Sequence, residues 1–171
     1  DRAWIERDIS PWNVPLLINT SEIERPADQN SITKRYTNEA KKFIRKNKDN
    51  PFFLYLPHSM PHIPLFVSDD FYINDPKKAY IRTIEEIDHS IGQIFQTLKE
   101  TGIENNTLVV FTSDNGPWHL KLRHHGGSAL PLRGAKFSTW EGGMRVPTIM
   151  RWPGKIPAGS VCKEVAAACD L

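Results

Sequence analysis

Apolar positions step by three and four along two stretches of the chain and run uninterrupted along two shorter ones. Ile32, Tyr36, Ala40, Phe43 and Ile44 share one stripe, which predicts an amphipathic helix from Ile32 to near Asn47 with Ser31 or Thr33 available as N-cap. Ile81, Ile84, Ile87, Ile91, Ile94, Phe95 and Leu98 keep a second stripe, and Gly102 stands where a C′ glycine belongs. That pattern predicts a helix of about 20 residues, long enough for a crossover. Between the two, Asn50-Pro51 stops the first helix, and Phe52, Phe53, Leu54, Tyr55 and Leu56 form a continuous apolar run, which predicts a strand buried on both faces. Pro57, Pro61 and Pro64 then force a loop. Residues 107–112 read as a second buried strand, and 147–151, closed by Trp152-Pro153-Gly154, as a third.

Strand, long helix and strand at this spacing predict a right-handed βαβ unit, hence an α/β fold with a mostly parallel sheet flanked by helices. Residues 1–31, with Pro11, Pro15 and Pro26, show no sustained period and read as an irregular lead-in with at most one short strand. Residues 113–135 form a long loop containing glycines and histidines, and no internal repeat is present.

Composition narrows the class. At 171 residues with 39% apolar and 25% charged side chains, and a mean hydropathy of −0.46, the chain has the balance of one ordinary globular domain. No apolar run approaches the roughly 18 residues of a membrane span. With 22 Lys and Arg against 20 Asp and Glu the net charge is +2, which argues against a nucleic-acid partner. The Lys34, Arg35, Lys41, Lys42, Arg45, Lys46 and Lys48 face of the first helix reads as a solvated face. Cys162 and Cys169 make neither a disulfide framework nor a Cys-x-x-Cys site. The start at Asp1 and the stop at Asp170-Leu171 lead us to expect a piece of a longer protein.

Ligands of open α/β sheets bind beyond the carboxyl ends of parallel strands, so the residues following the two central strands are the first candidates. One strand runs into His58 and His62, the other into Ser113-Asp114-Asn115-Gly116. Asp114 and Asn115 are adjacent hard oxygen donors of the kind Ca²⁺ or Mg²⁺ prefers, although Asp-Asn-Gly is also a plain turn sequence. Ca²⁺ takes about six to eight oxygens, so the pair cannot hold the ion alone. His62 is a candidate proton donor or oxyanion contact, and Lys136, in Leu132-Arg133-Gly134-Ala135-Lys136, a candidate point charge for an anion; taken in isolation, each more often marks an ordinary loop position. Arg123, Arg133 and Arg145 make the surrounding stretch basic, opposed by Glu141. A P-loop is excluded because Ala135 separates Gly134 from Lys136. His119, His124 and His125 lack the spacing of a zinc site.

Taken in order, PFFLYLPHSMPHIP (51–64), YIRTIEEIDHSIGQI (80–94), GIENNTLVVFTSDNGP (102–117) and PLRGAKFSTWEGGMRVPTIMRWPGKIPAG (131–159) resemble the formylglycine-dependent sulfatases of the alkaline phosphatase superfamily. The arylsulfatase and N-acetylgalactosamine-6-sulfatase branch is the most similar, and residues 32–159 carry the resemblance. It implies an alkaline phosphatase-like α/β domain of which this chain is the second half. It also implies that Asp114 and Asn115 ligate the metal, normally Ca²⁺ and less often Mg²⁺. His62 would contact the sulfate ester and assist departure of the alcohol oxygen, and Lys136 would bind sulfate and neutralise the leaving group. The substrate implied is a sulfated small molecule or glycan, and the compartment periplasmic, secreted or lysosomal. Trp118, Trp140 and Trp152 could stack on sugar faces or pack in the core.

Two family features have no counterpart here. The nucleophile arises from a Cys in Cys-x-Pro/Ala-x-Arg, which neither Cys162-Lys163-Glu164 nor Cys169-Asp170-Leu171 matches, and Asp69-Asp70 lies in the wrong place for the family's N-terminal Asp-Asp metal pair. The chain alone is therefore expected to be inactive and to bind Ca²⁺ weakly. Two alternatives stay open at this point. One is a phosphodiesterase or phosphonate hydrolase of the same superfamily, with Ser, Thr or Cys as nucleophile and His among its metal ligands. The other is a non-catalytic pseudo-sulfatase.

Overall fold

The computed structural model describes residues 13–118 and 126–170. Strands β1 (Leu16–Ile18) and β2 (Ser21–Glu24) form an antiparallel hairpin, so the predicted irregular lead-in holds two short strands within its described part. Asn19, at φ 54°, opens the two-residue turn, a conformation its short polar side chain tolerates. Low apolar periodicity hid this hairpin in the sequence, because Leu17, Ile18 and Ile23 all remain exposed.

Helix α1 (Ile32–Asn47) buries Ile32, Ala40 and Ile44 of the predicted stripe together with Thr33 and Thr37, whereas Tyr36 is half-buried and Phe43 exposed, so the buried face is rotated toward the threonines. Ser31 occupies the N-cap position without a side-chain cap bond. Asp28 instead caps the short 3₁₀ turn just upstream, accepting from the Asn30 amide at 3.1 Å. Helix α2 (Ala79–Glu100) ends in a Schellman motif. The Ile103 amide bonds the Leu98 carbonyl, the Gly102 amide bonds that of Lys99, and Gly102 takes φ +73°.

The two helices pack against each other through hydroxyls as well as hydrocarbon. Thr37 and Ser90, both buried, share a hydroxyl–hydroxyl hydrogen bond across the interface. Lys41 donates to Gln93 at 2.9 Å and Arg45 pairs with Glu100 at 3.2 Å. Arg35 pairs with Glu24 and Lys34 reaches Asp70 at 4.0 Å. Much of the predicted solvated basic face thus ties α1 to its surroundings. Met60, Phe66 and Ile87, with Ile91 against them, form an apolar cluster that joins the proline-rich loop to α2.

The predicted strand at 52–56 has no ladder partner among the described residues. Its burial alternates: Phe52, Leu54 and Leu56 are half-buried, whereas Phe53 is 85% and Tyr55 75% exposed. Burial on both faces needs strands on either side and a layer above and below, and an apolar run cannot supply these by itself. The β3 (Val109–Thr112) and β4 (Thr148–Arg151) prediction holds, but the pair is antiparallel, with Val109 opposite Arg151 and Thr112 opposite Thr148. The parallel pairing of 52–56 with β3 is not formed among the described residues. Arg151 anchors β4 to the rest by pairing with Glu104 and by lying 4.7 Å from the Phe95 ring centre. Trp152 donates its indole N–H to the Asn105 carbonyl at 3.1 Å. Among the described residues no helix is long and apolar enough to cross a membrane.

Candidate active site

The end of β3 fixes the first two candidates. Thr112 and Thr148 join hydroxyls across the ladder at 2.9 Å, and the Ser113 hydroxyl donates to the Asn115 carbonyl at 3.2 Å, folding 113–115 into a tight bend. The Asp114 side chain is exposed and that of Asn115 half-buried.

Lys136 is brought to this bend by backbone contacts that only glycines permit. The Gly116 amide donates to the Gly143 carbonyl at 3.0 Å, the Gly142 amide to the Arg133 carbonyl at 2.7 Å, and the Lys136 amide to the Pro117 carbonyl at 2.9 Å. A Cβ at Gly116 would lie 1.9 Å from the Gly142 oxygen, one at Gly142 2.4 Å from the Gly134 oxygen, and one at Gly143 2.3 Å from the Ser138 oxygen. Three backbone segments therefore touch directly: the β3 exit, the turn before Lys136, and the short helix α3 (Glu141–Met144). The sequence reading missed this role for Gly116, Gly142 and Gly143. The Gly-Gly pair after Trp140-Glu141 was the available signal, since adjacent glycines mark close backbone approach as well as flexibility.

Side chains complete the cluster. The Lys136 ammonium lies 5.7 Å from the Trp118 ring centre and 5.5 Å from that of Phe137. The His62 ring packs 5.9 Å from Trp118 on a tilt of 50°. His62 Nδ1 lies 2.7 Å from the Ile63 carbonyl oxygen, which can only accept, so Nδ1 carries the proton and Nε2 of the neutral ring is left as acceptor. The structure thus gathers His62 and Lys136 around Trp118, with Asp114 and Asn115 a few residues back along the same loop. Of the flanking cations, Arg145 pairs with Glu141 at 2.8 Å and Arg133 stacks 3.8 Å from the Trp140 ring centre. Lys136 has no ion-pair partner among the described residues. Arg123, His119, His124 and His125 lie outside the described residues.

His58 separates from this cluster. Its ring sits 6.4 Å from Tyr36, and neither ring nitrogen has a hydrogen-bond partner among the described residues. Burial pushes its pKa below the ordinary 6.5, so it is neutral. Of the other tryptophans, Trp152 is bound to the Asn105 carbonyl and Trp140 lies under Arg133.

Asp114 and Asn115 fit a hard cation in chemistry but not in number. Among the described residues no group of three or more His, Cys, Asp or Glu could hold a metal. Both cysteines are exposed and free.

Comparison with known proteins agrees with the resemblance read from the sequence. The sequence model of the Sulfatase family matches residues 3–171. Steryl-sulfatase of Rattus norvegicus is 38% identical over 165 residues, which is 94% of this chain and 29% of that protein. N-acetylgalactosamine-6-sulfatase of Mus musculus is 39% identical over 151 residues, 87% of this chain and 29% of that protein. The crystal structure of Ps i-CgsB in complex with k-i-k-neocarrahexaose superposes with a TM-score of 0.72 at 38% identity, covering 85% of this chain and 33% of that one. The chain belongs to the sulfatase family and has its alkaline phosphatase-like α/β fold. It spans under a third of the length of these curated relatives.

Proposed function

We infer that this chain forms the second half of a sulfatase catalytic domain, in a protein that hydrolyses the sulfate ester of an aryl alcohol or a glycan. The observation that carries this reading is the backbone junction that sets Lys136 beside the loop of Asp114 and Asn115, with His62 across Trp118. Family membership supports the reaction class; the names of two relatives, an arylsulfatase of Hemicentrotus pulcherrimus and the N-acetylgalactosamine-6-sulfatase, support the two substrate types. The glycan in the Ps i-CgsB complex adds weight to the second.

Lys136 receives the sulfate group: its ammonium, unpaired among the described residues, offsets the negative charge on the sulfuryl oxygens and on the departing alkoxide. His62, once protonated on Nε2, can hand that proton to the leaving oxygen, while its Nδ1–H bond to Ile63 holds the ring's orientation. Asp114 and Asn115 would contribute two of the oxygens around a Ca²⁺ ion, the other ligands coming from outside these residues. When bound, that ion would supply Lewis-acid stabilisation of the sulfuryl oxygens. The nucleophile is assigned to formylglycine elsewhere in the protein, because neither Cys162 nor Cys169 stands in a suitable motif. On this reading the isolated chain is inactive, and the protein works in a periplasmic, secreted or lysosomal compartment.

The test is hydrolysis of 4-nitrophenyl sulfate by the whole protein carrying formylglycine and supplied with Ca²⁺. Turnover that falls about 100-fold or more in Lys136→Ala supports the assignment. Hydrolysis of phosphodiesters in preference to sulfate esters, or full activity of Lys136→Ala, overturns it.

A further inference from the structure

Phe137 occupies a position that suits glycine. Its backbone φ is +71°, in the left-handed region that a bulky side chain rarely adopts, and its ring is 85% exposed, so it gains no burial in return. Such conformations persist where the surroundings impose them, and they cluster at functional sites. Here the turn imposes it. The Lys136 amide is fixed to Pro117 and the Ser138 amide to Ala135, at 3.0 Å for the latter, which leaves residue 137 at the apex. The ring that this strain projects stands edge-on to Trp118, 5.9 Å away at 90°, and 5.5 Å from the Lys136 ammonium. Trp118 in turn contacts His62. Aromatic surface therefore lines one side of the cation assigned to the sulfate.

We propose that Phe137, with Trp118, is the wall on which the ring of the substrate alcohol stacks while its sulfate rests at Lys136. The wall selects sulfate esters whose alcohol presents a flat apolar face, whether an aromatic ring or the face of a pyranose, over compact alkyl sulfates. This rests on the sulfatase reading of the site.

Binding of three hydrolysis-proof sulfonates to the whole protein, measured by calorimetry, tests it. Phenylmethanesulfonate carries an aromatic ring, 6-deoxy-6-sulfoglucose a pyranose, and methanesulfonate neither. In Phe137→Gly the preference for a ring-bearing ligand over methanesulfonate falls about threefold to tenfold, the worth of one aromatic contact. Thermal stability holds or rises, because glycine relieves the strained φ. Phe137→Tyr keeps the preference. A drop confined to one ring ligand tells whether the wall faces aryl or sugar alcohols. An unchanged preference in Phe137→Gly, or a preference lost together with thermal stability, overturns the wall. If Lys136→Met binds all three sulfonates as tightly as the wild type, the sulfate site fails and the wall with it. If Lys136→Met loses all three while Phe137→Gly keeps its preference, the wall alone fails.

Discussion

Replacing Gly116 by alanine tests the junction on which the site depends. The new methyl would stand 1.9 Å from the Gly142 oxygen, 2.9 Å from its carbonyl carbon and 3.1 Å from the Gly143 Cα, whereas ordinary contact begins at 3.4 Å. All three atoms are backbone, so no side chain can rotate away, and the segments must part by about 1.5 Å at the closest point. Overpacking of this kind costs about 1–3 kcal/mol. Parting also strains the Gly116–Gly143 hydrogen bond of 3.0 Å, worth about 1 kcal/mol more. The expected loss is about 3 kcal/mol in urea unfolding. The same displacement moves Asp114 and Asn115 relative to Lys136, so sulfate ester turnover falls with it. Gly92→Ala is the matched control: it lies exposed within α2, with nothing within 4 Å of the new methyl. It is expected to stabilise by about 0.5–1 kcal/mol. A Gly116→Ala protein that unfolds at the wild-type urea midpoint would refute the argument.

Two further expectations follow from the helix pair and its neighbour. Ser90→Ala removes the hydroxyl partner of Thr37 across α1 and α2, but Thr37 keeps its 2.7 Å bond to the Thr33 carbonyl and is not orphaned. The loss is therefore about 1 kcal/mol in denaturant unfolding, and a loss above about 3 kcal/mol would contradict it. For His58, burial lowers the folded-state pKa below 6.5. Between that lowered value and 6.5 the unfolded chain binds more protons than the folded one, so stability falls as pH drops below about 6.5. Urea midpoints measured from pH 7.5 to 5 should slope downward in the wild type and less steeply in His58→Leu; equal slopes would refute the assignment.

The sequence by itself determined the extents of α1 and α2 closely, including the Gly102 terminus, because helical spacing is local and one glycine suffices to end the helix; it did not determine their buried faces, since Phe43, Ile81 and Ile84 stay exposed while Thr33, Thr37, Thr83 and Ser90 are buried. It also determined the β3 and β4 segments, and it singled out Asp114, Asn115, His62 and Lys136 as candidates by residue type and order. Pairing was not legible. The apolar run at 52–56 reads the same with or without neighbours, and the register and direction of β3 against β4 depend on contacts between residues about 40 apart. Nor did local pattern reveal that Trp118 links His62 to Lys136, or that Gly116, Gly142 and Gly143 let three backbone segments touch. Those relations exist only once the chain has folded back on itself, because close approach is a property of two distant segments and is encoded in neither alone.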